Sequence, residues 1–98
     1  MEELTKHYLI SGRVQGVGFR RFTEGKAREL SLRGWVRNLL DGRVEAVAQG
    51  SAQALAQFAD QLKKGPAHGH VESVVIRSLQ PAESLTGFVL RKVVLSRF

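Results

Sequence analysis

Hydrophobic residues follow two different spacings in the first part of the chain. Residues 8–14 are rich in Tyr, Leu, Ile and Val and place Tyr8 and Ile10 on one face of an extended chain, which predicts a strand. From residue 19 to residue 30 the apolar side chains recur every three or four positions, and most charged residues lie outside that stripe. We therefore predict a strand, a glycine-containing loop at 15–18 and an amphipathic helix over 19–30.

The middle of the chain predicts a hairpin followed by a second helix. Two strand-like runs, 34–40 and 43–49, are joined by Asp41-Gly42, a dipeptide that suits the positive φ angles of a tight hairpin turn. Ser51 is a suitable N-terminal cap for the helix that follows. Its apolar residues repeat with helical spacing until Gly65-Pro66, which is typical of a helix end.

Two further β-branched segments complete the pattern. Residues 71–76 and 88–95 predict strands, separated by a loop that contains Gln80-Pro81 and Thr86-Gly87. The order strand, helix, strand, strand, helix, strand, with one more strand at the end, is typical of an α+β ferredoxin-like sandwich. In that fold both helices cover one face of a mostly antiparallel sheet, and we expect the other face to be open to solvent or ligand.

Length, charge and cysteine usage narrow the possible functions. The 98 residues predict a single domain over 1–98, since a chain of this length holds one hydrophobic core. Fifteen Lys and Arg against nine Asp and Glu give a formal net charge of +6, which favours an anionic partner such as phosphate. The absence of cysteine excludes a thiolate nucleophile and a Cys-based zinc site. No signal peptide and no long apolar run is found, so we expect a cytoplasmic protein.

One segment carries most of the chemical information: Gly12-Arg13-Val14-Gln15-Gly16-Val17-Gly18-Phe19-Arg20. Glycines at 16 and 18 allow the loop to turn several backbone N–H groups toward one point, and the start of the helix adds partial positive charge. Arg20 brings a planar guanidinium that pairs with two phosphate oxygens. We predict an anion site here; the alternative is an ordinary turn with a solvated Arg20. No Gly-Lys-Ser/Thr follows this loop, so the sequence does not predict nucleotide binding of the P-loop type.

Two blocks of the sequence resemble the signature of the acylphosphatase family. They are Val14-Gln15-Gly16-Val17-Gly18-Phe19-Arg20 and Gly34-Trp35-Val36-Arg37-Asn38-Leu39-Leu40-Asp41-Gly42-Arg43-Val44-Glu45. The resemblance extends from Tyr8 to Leu90. It implies a βαββαβ sandwich, which agrees with the element order predicted from the hydrophobic pattern.

The resemblance implies hydrolysis of the carboxyl-phosphate bond of acyl phosphates to a carboxylate and inorganic phosphate. The family's phosphate-binding arginine corresponds to Arg20 and its water-positioning asparagine to Asn38, so these two are the predicted catalytic residues. The predicted phosphate loop uses the backbone of Gln15, Gly16, Val17, Gly18 and Phe19. Because a carboxylate is a good leaving group, positioning and charge neutralisation suffice, and a phosphate oxygen of the substrate can accept the water's proton.

The expected partners follow from that activity. They are a small acyl phosphate as substrate and inorganic phosphate as product or inhibitor. We expect no cofactor, no metal ion, no nucleic acid and no membrane partner, and a monomeric protein. His68 and His70 are one residue apart, but no third ligand is identifiable, so a flexible surface turn is the preferred interpretation.

The sequence also predicts the surroundings of several single residues. Asn38 is either a solvated residue near a turn or, on one face with Val36 and Leu40, a buried amide that needs a water or substrate partner. Trp35 is predicted to lie in the core. Ser31 stands at a helix end where many family members have glycine, a place suited to a positive φ angle, so serine predicts either some strain or a different helix cap. Five arginines cluster by sequence in or near the proposed site, either as solvated surface or as an attracting field: Arg13, Arg20, Arg21, Arg37 and Arg43.

Two other functions remain open from the sequence. The ferredoxin-like sandwich also occurs in RNA recognition motifs, although residues 86–91 only faintly match the aromatic strand used there for base stacking. The chain also resembles the acylphosphatase-like domain of larger carbamoyl-transferring maturation proteins, in which the same loop would bind carbamoyl phosphate. Its length favours a free-standing enzyme. Residues 93–98 extend past the usual family end, and no role is assigned to them.

Overall fold

Two helices pack on one face of a five-stranded sheet. The computed structural model describes residues 3–80 and 84–93. The strands are β1 (Glu3–Arg13), β2 (Arg33–Asn38), β3 (Val44–Ser51), β4 (His70–Leu79) and β5 (Phe88–Arg91), and the helices are α1 (Phe19–Glu29) and α2 (Ala52–Lys64). The predicted order of elements and the α+β ferredoxin-like class are confirmed.

The strand directions bring three strand ends together. The sheet order is β4-β1-β3-β2-β5. β3 is antiparallel to both β1 and β2, and β5 is parallel to β2. It follows that β1, β2 and β5 all run in one direction and that their carboxyl ends lie at the same edge of the sheet.

The core lies between the sheet and the helices. Alternate residues of each central strand face it, such as Tyr8 on β1 and Val36 on β2, both fully buried. The ring of Tyr8 meets Phe58 of α2 edge-on, with ring centroids 5.2 Å apart, and Phe58 in turn meets Phe88 of β5. Ser51 caps α2 as predicted, because its hydroxyl accepts a hydrogen bond from the Ala54 amide at 3.1 Å.

Strand lengths differ from the predicted ones. The ladder between β1 and β4 continues to the pair Thr5 and Leu79, so both strands are longer than their apolar segments indicated. β5 is shorter than predicted and ends at Arg91. The end of the predicted strand and most of the tail, residues 94–98, lie outside the described residues.

The turn between β2 and β3 is longer than the tight turn that Asp41-Gly42 predicted. The Leu39 amide donates to the Arg43 carbonyl at 2.8 Å, and the Gly42 amide donates to the Leu39 carbonyl at 3.2 Å. Gly42 has a φ angle of 98°, whereas Asp41 does not have a positive φ. The dipeptide therefore closes a three-residue loop with one left-handed glycine, a common hairpin geometry, rather than a two-residue turn.

Trp35 lies on the open face of the sheet, so its predicted place in the core is wrong. Its neighbours Gly34 and Val36 are buried, and alternation along β2 directs Trp35 to the opposite side. There the guanidinium carbons of Arg37 and Arg91 lie 5.0 and 4.6 Å from the centroid of its ring. The indole is thus held by cation–π contacts with two arginines instead of by core packing.

Ser31 has the positive φ angle that its position after α1 predicted. Its φ is 58°, and it is the one non-glycine residue with a positive φ in the described ranges. A Cβ in this left-handed conformation crowds the following carbonyl, so the backbone is strained here.

Candidate active site

The carboxyl ends of β1, β2 and β5 meet the start of α1 around a cavity of about 230 Å³. This volume lies below the roughly 300–1,000 Å³ of pockets that hold drug-sized ligands, so the cavity suits a small molecule. Its lining combines two arginines and an asparagine with apolar residues. The lining residues are Val14, Gly16, Gly18, Phe19, Arg20, Arg21, Asn38 and Leu90.

The loop between β1 and α1 contributes Gly16 and Gly18 to the wall of this cavity. Gly16 and Gly18 have φ angles of 75° and 79°, a conformation that side chains rarely adopt, although a Cβ at either position would meet no atom within 4 Å. No side chain caps α1, and its first turn contains no acidic residue. In the part of the chain that the structure describes, the amides of residues 16–21 donate to no protein acceptor. A row of free N–H groups at a helix start is an anion site.

Arg20 extends from the first turn of α1 and is fixed by the last residue of β5. One of its Nη atoms donates to the carbonyl oxygen of Arg91 at 3.2 Å. Among the described residues no carboxylate forms an ion pair with Arg20. Its guanidinium therefore keeps most of its donors and its full charge for a ligand in the cavity.

Asn38 is the last residue of β2 and lies two positions after the buried Val36, on the side of the sheet that faces the helices. Its Oδ1 is buried and has no hydrogen-bond partner within the described ranges. Leu40 does not share this face as predicted, because it lies in the turn and its side chain is 69% exposed. A buried acceptor without a partner at a cavity wall is a place for a water or a ligand hydroxyl.

Gln15 was predicted to contribute its backbone alone, but its side chain also makes a specific contact. The Nε2 atom donates to the carbonyl oxygens of Leu39 and Arg43, at 2.8 and 2.9 Å. These two carbonyls belong to the turn that directly follows Asn38. Gln15 thus joins the loop after β1 to the strand end that carries Asn38. Val17 packs against the core and does not line the cavity.

Comparison with known proteins identifies the family. The sequence model of the acylphosphatase family matches residues 6–90. The chain belongs to the acylphosphatase family. It is accordingly an enzyme, as its two motif blocks predicted.

Individual acylphosphatases and one larger protein match over most of the chain. The acylphosphatase of Koribacter versatilis (strain Ellin345) is 49% identical over 84 residues, which cover 86% of this chain and 76% of that protein. The solved acylphosphatase from Bacillus subtilis is 36% identical, with a TM-score of 0.87 over 90% of this chain and 98% of that chain. Full-length HypF, solved in its phosphate- and nucleotide-bound form, is 25% identical, with a TM-score of 0.85 over 94% of this chain and 12% of that chain.

The five arginines that the sequence grouped together do not all lie at the cavity of this acylphosphatase-family enzyme. Arg20 and Arg21 line it. Arg37 projects from the opposite face of β2, where its Nε donates to Glu45 at 2.7 Å, and Arg43 forms an ion pair with Asp41 at 2.8 Å. The prediction of one cluster is wrong for Arg37 because residues 37 and 38 of a strand point to opposite faces.

Glu45 is the centre of an ion network on the open face of the sheet. Its two carboxylate oxygens contact the ring of His7 and the guanidinium of Arg37, each at 2.7 Å. Partial burial raises the pKa of Glu45. The hydrogen bonds from His7 and Arg37 lower it by more, so the pKa stays below the ordinary value of 4.5. The network lies across the sheet from the cavity and joins β1, β3 and β2 through their side chains.

The remaining site expectations concern metals and membranes. His68 lies in the turn before β4 and His70 is the first residue of that strand, and both are exposed. Residues 3–80 and 84–93 contain no group of three or more acidic or His side chains that would hold a metal ion. Neither helix in these ranges has the length and apolar character needed to cross a membrane.

Proposed function

We propose that this enzyme hydrolyses acyl phosphates in the cavity at the carboxyl ends of β1, β2 and β5, with Arg20 and Asn38 as its catalytic residues. The observation that carries the proposal is the buried, unpartnered Oδ1 of Asn38 on the wall of the same cavity that Arg20 and the loop amides line. The same cavity thus offers an acceptor for water and donors for a phosphoryl group.

The phosphoryl group of the substrate binds to the loop and to Arg20. The free amides of residues 16–21 and the start of α1 are oriented before the substrate arrives, so little reorganisation is needed as charge builds up on the phosphoryl oxygens. Arg20 adds a fixed, planar cation that contacts two oxygens at once. This combination of backbone donors and one cation stabilises the charge of a transferring phosphoryl group.

The attacking water binds to Asn38. Oδ1 accepts a hydrogen bond from the water and directs the water's lone pair at phosphorus. A bond forms between the water oxygen and phosphorus, while the bond from phosphorus to the bridging oxygen breaks. The acyl group leaves as a carboxylate, and both water protons end on the inorganic phosphate. Since an amide is not a base at neutral pH, a phosphoryl oxygen of the substrate takes the proton.

The composition of the cavity fits a reaction without a protein acid or base. Within the described residues no Asp, Glu, His or Lys lines it. A carboxylate leaving group needs no protonation to depart, so positioning of the water and neutralisation of phosphoryl charge are sufficient. We propose that inorganic phosphate, as product, binds to the same loop and inhibits.

Neither alternative function is favoured over this one. Among residues 3–80 and 84–93, Trp35 is the one aromatic side chain on the open face, and its ring already contacts two arginines, which leaves little surface for stacking RNA bases. The similarity to HypF is compatible with carbamoyl phosphate as a substrate, since it is also an acyl phosphate. We further propose that the enzyme is a cytoplasmic monomer and that its residues act as one domain, because the described strands and both helices share one hydrophobic core.

Hydrolysis of benzoyl phosphate tests the proposal. We expect the unsubstituted enzyme to be active and both Arg20→Ala and Asn38→Ala to lose about 100-fold or more in kcat/KM, the size typical of removing one charge-stabilising group. The matched controls are Arg77→Ala, an exposed arginine on β4, and Gln53→Ala, an exposed amide on α2, which should keep full activity. Full activity of Arg20→Ala or Asn38→Ala removes that residue from its assigned role, and an inactive unsubstituted enzyme refutes the function.

A further inference from the structure

Arg21 is a second cation on the wall of the cavity, and it has no carboxylate partner among the described residues. Within α1 the residues one turn after Arg21 are Glu24 and Gly25, of which only Glu24 is acidic. Glu24 already forms an ion pair with Arg28, at 3.1 Å. Arg21 is therefore an exposed residue of the cavity wall whose charge no described carboxylate balances.

This contrasts with other arginines in the described part of the chain. Arg28, Arg37 and Arg43 are each paired with a carboxylate on their own or a neighbouring element. The cavity, by contrast, is lined by Arg20 and Arg21 and by no acidic residue of the described ranges. It therefore holds a second cation besides Arg20, which already acts with the loop amides on the phosphoryl group in the proposed function.

The helix geometry separates the two cations. Consecutive residues of an α-helix point roughly 100° apart around its axis, so Arg20 and Arg21 approach the cavity from different directions. Two guanidinium groups that approach from different directions are poorly placed to donate hydrogen bonds to the same three phosphoryl oxygens. They are well placed to contact the two ends of one short ligand in a cavity of about 230 Å³.

We propose that Arg21 forms a subsite for a second anionic group, so that the enzyme prefers acyl phosphates whose acyl part carries its own carboxylate or phosphate. This inference rests on the function proposed above, because it assumes that Arg20 and the loop hold the phosphoryl group. The second anion is far from the bond that breaks, so its contact with Arg21 is equally strong before and during the reaction. Such uniform binding lowers KM and leaves kcat unchanged.

Two substrates that differ in this one charge provide the test. Acetyl phosphate has an uncharged acyl group, whereas succinyl phosphate ends in a carboxylate. The measured quantity is the ratio of kcat/KM for succinyl phosphate to that for acetyl phosphate. In Arg21→Gln we expect this ratio to fall about two- to fivefold, the size typical of a solvent-exposed ion pair, through KM rather than kcat. Arg21→Glu should lower the ratio further.

The matched control is Lys63→Gln, which removes the same unit charge from an exposed position on α2, away from the cavity. Its ratio should equal that of the unsubstituted enzyme. An unchanged ratio in Arg21→Gln, or an equal fall in Lys63→Gln, overturns the subsite while leaving acyl phosphate hydrolysis intact. If the unsubstituted enzyme hydrolyses neither substrate, the proposed function itself fails. Added salt should reduce the preference for succinyl phosphate in the unsubstituted enzyme but not in Arg21→Gln.

Discussion

The side-chain amide of Gln15 donates a hydrogen bond of 2.8 Å to the carbonyl oxygen of Leu39, the residue that directly follows Asn38. The same nitrogen donates to the Arg43 carbonyl on the other side of the turn. The phosphate loop and the end of β2 are therefore held together by one side chain. In the proposed mechanism, their separation sets the distance between the bound phosphoryl group and the attacking water, and in-line attack depends on that distance.

Gln15→Met should impair the reaction more than it impairs binding. The substitution keeps the length of the side chain but removes both hydrogen bonds, so the turn carrying Asn38 is no longer held to the loop. We expect kcat to fall about tenfold or more, since small misplacements of reacting groups are costly, while the inhibition constant of inorganic phosphate changes less. We expect the free energy of unfolding to fall by about 1–3 kcal/mol. Gln57→Met, at an exposed position on α2, is the control, and an unchanged kcat in Gln15→Met would show that the contact is only structural.

Arg20→Lys should restore little of the activity that Arg20→Ala loses. An ammonium group is a point charge without the planar fork that contacts two phosphoryl oxygens, and it is too compact to reach both the ligand and the Arg91 carbonyl. We expect kcat/KM for benzoyl phosphate to stay within about tenfold of the alanine variant and far below that of the unsubstituted enzyme. Recovery to near-normal activity would mean that charge alone is needed.

Asn38→Ala should separate stability from activity. Oδ1 of Asn38 is buried and unpartnered, so its removal takes away an unsatisfied polar atom and breaks no hydrogen bond to a described residue. We expect the free energy of unfolding, measured with urea, to change by less than about 1 kcal/mol, while activity falls as described above. A large loss of stability would indicate that the amide has a structural partner.

The two periods of hydrophobicity were enough to predict the order of the elements, because each strand and helix buries one face. They did not predict which face of β2 meets the helices, since Trp35 and Val36 are both apolar and only tertiary packing distinguishes them. Arg20 and the glycines of the loop were recognisable from a local motif. The contacts that fix the site join residues far apart in sequence, Gln15 with Leu39 and Arg20 with Arg91, and no local pattern encodes them.

Ser31→Gly should stabilise the protein. The φ angle of 58° costs a residue with a Cβ about 1–2 kcal/mol, and glycine avoids that cost. The greater freedom of glycine in the unfolded chain offsets part of the gain, so we expect the free energy of unfolding to rise by about 0.5–1 kcal/mol. Ser31→Ala keeps the Cβ and should bring no gain. Activity should be unchanged in both variants, since Ser31 lies at the far end of α1 from the cavity.

The carboxylate of Glu45 should stabilise the folded protein at pH values above the ordinary pKa of this group. This stabilisation should be lost in acid. His7 and Arg37 hold the pKa of Glu45 below 4.5 in the folded protein despite partial burial, so the unfolded chain binds more protons as the pH falls through and below that value. When the pH is lowered from 5 to about 3, the urea concentration at the midpoint of unfolding should therefore fall less steeply in Glu45→Gln than in the unsubstituted protein.

The control for this pH dependence is Glu72→Gln, which removes an exposed carboxylate without an ion pair among the described residues. Its urea midpoint should follow that of the unsubstituted protein over the same pH interval. Identical slopes in Glu45→Gln and the unsubstituted protein would show that the network around Glu45 does not govern acid stability.

The hydrogen bond from Arg20 to the Arg91 carbonyl makes the site depend on the order in which the chain is made. A nascent chain leaves the ribosome amino end first, so the phosphate loop emerges long before β5. Arg20 can donate to the Arg91 carbonyl only when the four residues of β5 have paired with β2 at the edge of the sheet. The hydrogen bond that orients Arg20 is therefore made only after all five strands of the sheet have been synthesised.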